Sequence, residues 1–583
     1  MNKNGLIYDV EDKPRLGKLI TFALQQVLAI MAATIAVPSI IGLPMQIPAA
    51  LLGAGVGTIV YLLFTRFKSP VFLGSSFAFL SSLSVATLYG YCGILIGSIF
   101  AGLVYVIIAI IIHFAGTKWV SKLMPPVIIG PTVALIGLSL AGSAMGDIVK
   151  ASGVANLSIE NLYAADGPKG ILNANYNLVA LLCGLTAFVV IIICSTQKKW
   201  KSMKLIPFII GIGAGYLVAS VFSIIGYASD TDYLKIINWG PIVTTFRASD
   251  GSFAGVTAFL DYPRFGLVEA ISEMRHGHVG ENIISATGYN DAGQPKATLL
   301  NAAGVGEIAI AFIPVALVVF AEHIADHKNL GSIIGRDLVE GEPGLEKTLL
   351  GDGVGSIAGT IFGICPNTTY GESVGCVAIT KNASVRTIFV AACMCIVLAF
   401  ISPIMAILRT IPSCVMGGVC LTLYGFIAVS GLKMFKNIDL GENKNLFTVS
   451  AILIAGIGGL SIKIPYMIQD ANVALTGFIK DEGVVKNVEL VDQKGNALFS
   501  AFKGEPEKVI TITAIATALL LGIAVYAIMN AIEKRNAKLS DELTDDASPE
   551  SLVAGAVAPD ADFEIKGAPS VEEAAADTAE DKE

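Results

Sequence analysis

A short polar run that ends in a carboxylate lies at residues 366–372 (PNTTYGE), between apolar stretches on both sides. A hydrocarbon phase cannot satisfy unpaired backbone groups, so irregular chain survives at that depth only beside protein or an aqueous cavity. An intramembrane carboxylate is by default a candidate functional residue. Glu372, preceded by Thr369, Tyr370 and Gly371, therefore predicts a polar site inside an apolar protein.

A second titratable group follows the apolar stretch 308–321 and begins Glu322-His323. Glu322 and Asp326 share one face of a helix, because residues four apart are neighbours on its surface. The alternative interpretation, the cytoplasmic end of a helix, stays open for Glu322 and, more strongly, for His323, Asp326 and His327. The segment 329–334 is apolar enough to prolong the span, which favours a site at Glu322.

A third candidate segment, GSSF at residues 74–77, contains Ser76 and Phe77 and interrupts the apolar stretch 71–90. Two similar segments, PPVIIG at 125–130 and PSCVMG at 412–417, lie at corresponding places in the two halves of the chain. The same offset pairs the GSSF segment with the run that contains Glu372. The offset is about seven spans, so matching segments cross in opposite directions, which is the inverted-repeat plan of secondary transporters. Two interrupted helices at corresponding places indicate a binding site near the membrane midplane.

The composition indicates that these segments lie in the apolar core of a membrane. Hydrophobic residues make up 54% of the chain and charged residues 15%, and the mean hydropathy is +0.70. Apolar runs of the length that crosses the hydrocarbon, about 20 residues, recur about fourteen times. The candidate spans are 17–41, 46–65, 71–90, 92–115, 124–145, 175–195, 202–227, 304–334, 347–365, 366–382, 385–408, 412–432, 445–463 and 509–532. We expect an all-α polytopic membrane protein.

Lys and Arg residues set the expected orientation. They cluster before the first span and after the even-numbered ones, as at Arg66 and Lys68, so the positive-inside rule predicts that both termini are cytoplasmic. The tail is rich in Asp, Glu and Ala, which predicts disorder. The expected organisation is a cytoplasmic N-terminus (1–16), a first repeat (17–227), an extended extracytoplasmic loop (228–302), a second repeat (303–532) containing an outer loop (464–508), and an acidic disordered cytoplasmic tail (533–583).

The block 367–381 resembles the signature of the nucleobase–ascorbate transporter family (nucleobase:cation symporter-2). That signature is an acidic or amide residue, Asn, any residue, Gly, four more residues, Thr and a basic residue; Ser373 stands where Asn is usual. The blocks 321–324 and 73–79 are similar to two further family motifs, and Gln26 stands where many members have His. The resemblance runs from about 17 to 532 and is strongest to bacterial uracil-transporting members.

The resemblance implies a core domain (spans 1–4 and 8–11), a gate domain (spans 5–7 and 12–14), a homodimer in the cell membrane and proton-coupled nucleobase import by an elevator-like motion. Short strands would interrupt spans 3 and 10. Glu322 and Glu372 would hold the base, Phe77 would pack on it, and the backbone at Gly371 would contribute hydrogen bonds. Ser76, Thr369 and Tyr370 complete the expected substrate contacts.

The same assignment makes chemical sense without the family. Uracil is a neutral plane with two N–H donors and two carbonyl acceptors, so a dry site needs carboxylate oxygens for the donors and free helix N-terminal amides for the carbonyls. Burial disfavours an ionised carboxyl group, so Glu322 is expected to carry the coupled proton, with His323 or Asp326 as alternatives. Gln26 cannot titrate as a His would. We expect no cofactor besides the proton, and no nucleic-acid partner.

Other function classes remain open or are disfavoured. A xanthine or other purine carrier of the same fold is the main alternative, although Glu372 stands where purine-type relatives more often have Gln. An anion transporter of a related fold is disfavoured because two carboxylates would repel an anion. An enzyme is not expected, since no zinc-type His-Glu-x-x-His occurs. The run 351–355 (GDGVG) lacks the Lys-Ser/Thr pair of a phosphate loop and predicts close helix packing instead.

Overall fold

Helices make up most of the described chain, as the recurring apolar runs predict. The computed structural model describes residues 5–41, 47–87, 89–150, 177–197, 203, 206–247, 252–263, 265–276, 302–465, 476–481, 484–489 and 509–545. The helices are α1 (Leu16–Ile40), α2 (Ile47–Phe64), α3 (Leu80–Thr87), α4 (Gly90–Ala115), α5 (Lys118–Leu123), α6 (Pro126–Ser139), α7 (Ala141–Asp147), α8 (Leu178–Thr196), α9 (Pro207–Ala228), α10 (Gly240–Phe246), α11 (Gly266–His276), α12 (Ala302–Ile334), α13 (Leu345–Phe362), α14 (Gly371–Thr380), α15 (Val385–Ala399), α16 (Ser402–Arg409), α17 (Ser413–Lys433), α18 (Asn443–Ile457) and α19 (Ala514–Asp545).

Nine helices in the described ranges are long and apolar enough to cross a membrane. They comprise α1, α2, α4, α6 continued into α7, α8, α9, α12, α17 and α19. Shorter apolar helices at Phe77–Thr87, Val385–Ala399 and Asn443–Ile457 lie between them. The chain is a multi-pass membrane protein.

Six strands accompany the helices. They are β1 (Leu73–Ser75), β2 (Asn367–Thr369), β3 (Ile462–Pro465), β4 (Thr476–Asp481), β5 (Val484–Glu489) and β6 (Val509–Ile512). β1 and β2 pair antiparallel, with Leu73 opposite Thr369 and Ser75 opposite Asn367, and every residue of both is buried. Spans 71–90 and 366–382 are therefore not continuous helices: each begins as a short strand and continues as a helix.

Two further candidate spans end earlier than expected. The span 385–408 breaks after Ala399: Ile401 is extended, and α16 begins at Ser402 with Pro403 in its first turn, where the missing N–H of proline cannot continue the preceding helix. The span 445–463 ends at Ile457, where Gly459 adopts φ +72. Glycine favours that left-handed conformation at helix ends.

The last candidate span differs at both ends. Residues 509–512 form β6, which pairs with β3, so the helix begins only at Ala514. It continues to Asp545, beyond residue 532 where the disordered tail was expected to begin. Residues 533–545 contain Glu, Lys, Arg, Ala and Leu, and no Gly or Pro, which favours helix. The rest of the expected tail, 546–583, lies outside the described residues.

The expected outer loops are only partly described. Between 229 and 276 the chain forms α10, α11 and 3₁₀ turns at Asp232–Leu234 and Gly255–Ala258, and residues 277–301 lie outside the described ranges. In the second loop β4 pairs with β5.

Close helix packing holds the two interrupted segments in place. α13 packs against α2 and α4, and its glycines permit the approach: a Cβ on Gly355 would lie 2.8 Å from the carbonyl oxygen of Gly57. The amide of Asn367 fits into this glycine-lined gap and donates to the carbonyl of Gly53 at 2.9 Å. The glycine-rich run 351–355 therefore packs helices, and the packing anchors the first residue of β2.

The chain divides into two compact units, Met1–Tyr526 and Ala527–Glu583. The first unit contains the paired strands and the candidate site. The second, as far as it is described, is the remainder of α19.

Candidate functional site

The two interrupted segments meet at one place. Beyond the β1–β2 ladder, the N–H of Ser76 donates to the carbonyl of Pro366 and that of Tyr370 to the carbonyl of Phe72, both at 3.1 Å. β1 is followed by a 3₁₀ turn at Phe77–Phe79 and then α3, and β2 is followed directly by α14. The ribbon thus fixes the starts of two helices beside each other.

The start of α14 supplies backbone donors. Its first helical hydrogen bond runs from Val374 N–H to the carbonyl of Tyr370 at 3.2 Å. The amides before Val374 have no carbonyl partner within the helix, because the first N–H groups of any helix lack one. Glu372 lies in this first turn. The site therefore combines helix amides that lack a carbonyl partner within the helix with a carboxyl group.

A cavity of about 360 Å³ lies at these helix starts. Such a volume is at the small end of the range for small-molecule sites, roughly 300–1,000 Å³. All the residues expected from the sequence to contact substrate line it: Ser76, Phe77, Glu322, Thr369, Tyr370, Gly371 and Glu372. Asp326 lines it as well. Residues from three distant parts of the chain are thus brought to one cavity.

The opposite wall comes from helices outside the interrupted pair. Phe208 of α9 and Phe426 of α17 line the cavity. Phe77 contacts Tyr424 of α17 edge to face, with ring centroids 5.3 Å apart. Edge-to-face contact leaves a ring face of Phe77 available to a planar ligand. The same cavity extends to Lys433 at the end of α17.

The carboxyl groups in the cavity differ in their partners. The hydroxyl of Thr369 donates to Oδ2 of Asp326 at 2.8 Å. Oε2 of Glu322 is buried and has no hydrogen-bond partner among the described residues. A buried oxygen without a partner carries a desolvation cost of about 1–3 kcal/mol, which a ligand N–H would relieve. Glu322 is thus the available acceptor, and Asp326 is already engaged.

His323, one of the residues considered for proton coupling, does not line this cavity. Its Nδ1 lies 2.7 Å from Oδ2 of Asp352, and its Nε2 lies 3.1 Å from the hydroxyl of Thr348. His323 and Asp352 are both fully buried. A residue next to Glu322 in sequence points to another side of the helix, since successive residues are about 100° apart. His323 therefore belongs to a polar network between α12 and α13.

This network continues along α12. The ring of His327 stacks on that of His323 with centroids 4.0 Å apart, and its Nδ1 lies 2.8 Å from the His323 carbonyl oxygen. Because a carbonyl only accepts, Nδ1 of His327 carries the proton. Its Nε2 lies 2.7 Å from the hydroxyl of Tyr61, which lies 2.7 Å from that of Ser69. The network thus links His327 to Tyr61 and Ser69 within the protein.

Asp352 is a buried carboxyl group behind the site that the sequence analysis missed. The glycines around it were interpreted as packing residues, and they do pack. A charged residue within an apolar span was the available signal, because such residues are rare there without a specific partner.

One further contact lies behind Glu372. The amide of Gln26 on α1 donates to the hydroxyl of the next residue, Ser373, which also accepts from the N–H of Phe72 at 3.2 Å. Ser373 therefore ties α14 to α1 and to the residue before β1. Both side chains are buried.

Broken helices, buried carboxyl groups and a small cavity within an apolar helical fold define a multi-pass membrane protein of the transporter class. The chain belongs to the Permease family, whose sequence profile matches residues 17–248 and 291–463. This confirms the family expected from the signature block. It also makes the protein a transporter and not an enzyme.

This chain aligns with nearly the whole length of two individual relatives. The chain is 35% identical to a uracil permease of Bacillus caldolyticus over 493 residues, which are 84% of this chain and 95% of the relative. It is 32% identical to a uracil permease of Bacillus subtilis, with 85% and 97% covered. Among solved structures, the transmembrane domain of a cyanobacterial bicarbonate transporter, BicA, superposes with a TM-score of 0.47 at 13% identity, covering 77% of this chain and 98% of that one.

Proposed function

We propose that this protein imports uracil across the cell membrane, coupled to protons. The observation that carries the proposal is the partnerless Oε2 of Glu322 in a small cavity that also contains the first amides of α14. The relatives named as uracil permeases support the substrate.

The cavity offers the groups that a pyrimidine needs. Glu322 and Glu372 provide acceptors for the two ring N–H groups, and the amides at Gly371 provide donors for a carbonyl. Phe77 provides an apolar surface for the ring, with Ser76, Thr369 and Tyr370 around it. A site built to pair substrate N–H groups discriminates strongly against analogues that lack them.

Proton coupling is the finer part of the proposal. It requires a group whose protonation changes as the cavity opens and closes, and Glu322 is the leading choice. Asp326 is the better second choice than His323, because Asp326 lines the cavity and His323 does not. No cofactor is proposed.

The proposed topology and transport motion are those that the resemblance to the family implies. We propose fourteen spans in a seven-plus-seven inverted repeat, with both termini cytoplasmic, assembled as a homodimer in the lipid bilayer. The proposed core contains the interrupted helices, and the proposed gate contains α9 and α17, which supply the opposite wall. An elevator-like displacement of the core would carry the site between the two sides.

Two alternatives predict different outcomes. A xanthine or purine permease would bind the larger base in the same cavity. An anion transporter is disfavoured, because Glu322, Asp326 and Glu372 would all face the anion.

The test is uptake of radiolabelled uracil into cells that express this chain or its Glu372→Gln variant. A protonophore and an excess of unlabelled xanthine are added in parallel samples. Uptake that the protonophore and the substitution abolish, and that xanthine leaves unchanged, supports the proposal. Transport that xanthine blocks, or that persists with the protonophore, contradicts the uracil or the proton assignment respectively.

A further inference from the structure

A second cavity, of about 610 Å³, lies where α1 and α15 begin and α2 ends. We call it the basic cavity. The residues lining it include Glu11, Arg66, Phe67, Lys68, Arg386 and Phe389. Neither the expected substrate site nor the family motifs include any of these residues.

The charged part of the basic cavity has an excess of positive charge. Lys68 pairs with Glu342, and Glu11 shares Arg336 with Asp9, which lies 3.3 Å from that guanidinium against 3.5 Å for Glu11. Among the described residues, neither Arg66 nor Arg386 has a carboxylate oxygen within 4 Å, although the charge of Arg66 also acts on Glu342. A guanidinium group presents a planar fork of donors that suits a phosphate. The charge pattern fits a phosphate-bearing ligand.

The rest of the basic cavity is apolar. Phe67 and Phe389 meet edge to face with ring centroids 6.0 Å apart, and they remain 40% and 37% exposed. Leu63, one turn earlier on the membrane-spanning helix α2, is 59% exposed. A free phosphate ion gains no stabilisation from an apolar surface, whereas an acyl chain does. The apolar part therefore selects an amphipathic ligand.

The backbone conformation indicates that both side chains are needed here. Arg66 and Phe67 have φ of 51 and 56, in the left-handed region, where they end α2 through a bond from Phe67 N–H to the Leu62 carbonyl at 2.8 Å. Glycine adopts this conformation without steric cost and is the usual residue at such helix ends. The fold could end α2 with glycines, but glycines would supply neither the guanidinium nor the ring.

We propose that the basic cavity binds one anionic phospholipid, with its phosphate between Arg66 and Arg386 and an acyl chain against Phe67 and Phe389. Basic pockets between membrane helices are suited to anionic headgroups. The Lys and Arg residues place this end of the helices at the expected cytoplasmic surface, where anionic lipids attract them. The competing occupant is the acidic tail of the chain, residues 546–583.

The test measures lipid binding to the purified full-length protein in detergent, by native mass spectrometry and by the midpoint of thermal unfolding. Phosphatidylglycerol, phosphatidylcholine with identical acyl chains, and inorganic phosphate are compared. We expect phosphatidylglycerol alone to be retained and to raise the unfolding midpoint. In the Arg66→Gln/Arg386→Gln variant, apparent affinity should fall roughly five-fold for each arginine removed.

Lys118→Gln/Lys122→Gln is the matched control, because both lysines are exposed and lie at the expected same membrane face outside the basic cavity. It should bind phosphatidylglycerol like the wild type. Equal retention by the arginine variant and the wild type would overturn the proposal. So would an equal shift with inorganic phosphate, or phosphatidylglycerol binding that appears only after residues 546–583 are deleted, since the tail would then be the occupant.

Discussion

Gln26 of α1 and Ser373 of α14 are hydrogen-bonded to each other, although they lie 347 residues apart in the chain. Both differ from the residues usual in the family, where His is common at the first position and Asn at the second. Because the two side chains are hydrogen-bonded, both differences from the usual family residues lie in the same contact. Ser373 follows Glu372 directly, so this contact sets the position of the helix start that lines the cavity.

We predict that Ser373→Ala and Gln26→Leu are not additive. Ser373→Ala leaves the Gln26 amide and the Phe72 N–H without their acceptor, which costs about 1–3 kcal/mol for each buried group. Adding Gln26→Leu removes one of those unpaired groups, so the double variant should unfold at a higher temperature than the sum of the single shifts predicts. The measurement is the unfolding midpoint of all four proteins, and additive shifts would contradict the coupling.

We predict that Glu322→Gln weakens uracil binding by about 5-fold to 150-fold, the equivalent of leaving one buried ring N–H without its acceptor, about 1–3 kcal/mol. The amide keeps the size of the side chain but offers one acceptor oxygen in place of two. Binding is measured by titration of the purified protein. Glu307→Gln on the same helix is the control, since Glu307 does not line the cavity. Loss of affinity in both variants would show a general effect of altering α12.

The broken helices were predictable because the run 366–372 cannot lie in lipid as ordinary helix. Glu322 was found for the same reason, and helical periodicity grouped it with Asp326. The pairing of β1 with β2 in a fixed register was not readable, since a three-residue strand has too little pattern to define its partner. The sequence also could not show that Gln26 reaches Ser373.

Asp352 shows a different limit. Its flanking glycines have a sufficient explanation in the packing of α13 on α2, so nothing in the local pattern required a second role. Its partner, His323, is 29 residues earlier. Only the packing of α12 against α13 brings the two together.

We predict that Asp352→Ala destabilises the protein but changes uracil affinity less than two-fold or so. Removing one partner of a buried, hydrogen-bonded pair costs about 3–5 kcal/mol, and His323 would lose its 2.7 Å contact. Affinity should change little because neither residue lines the cavity. The measurements are the unfolding midpoint and uracil titration.

Asp326→Asn is the comparison for that variant. Because Asp326 lines the cavity, this substitution should lower uracil affinity while changing the unfolding midpoint little. Asp352→Asn, which retains an acceptor for His323, should recover most of the lost stability. An Asp352→Ala protein with an unchanged midpoint and no uracil binding would instead place this pair in the transport mechanism.

We predict that Gly74→Ala disrupts the site through Tyr370. A Cβ at position 74 would lie 2.2 Å from Cε2 of the Tyr370 ring, closer than real atoms approach, so the ring must move. The ring is held by its hydroxyl, which donates to the carbonyl of Ser75 at 3.0 Å. Overpacking of this kind costs about 1–3 kcal/mol, and uptake should fall because Tyr370 lines the cavity.

Gly425→Ala is the matched control, because no atom lies within 4 Å of the position its Cβ would occupy. In the helix α17, that substitution should leave uptake unchanged and stability equal or slightly higher. In the double variant Gly74→Ala/Tyr370→Leu, the smaller leucine side chain relieves the clash, so the unfolding midpoint should rise part of the way back to the wild-type value. If the midpoint recovers but uptake does not, Tyr370 has a direct part in holding the substrate. If the midpoint does not recover, the stability loss in Gly74→Ala arises from the β1–β2 ribbon and not from the Tyr370 ring.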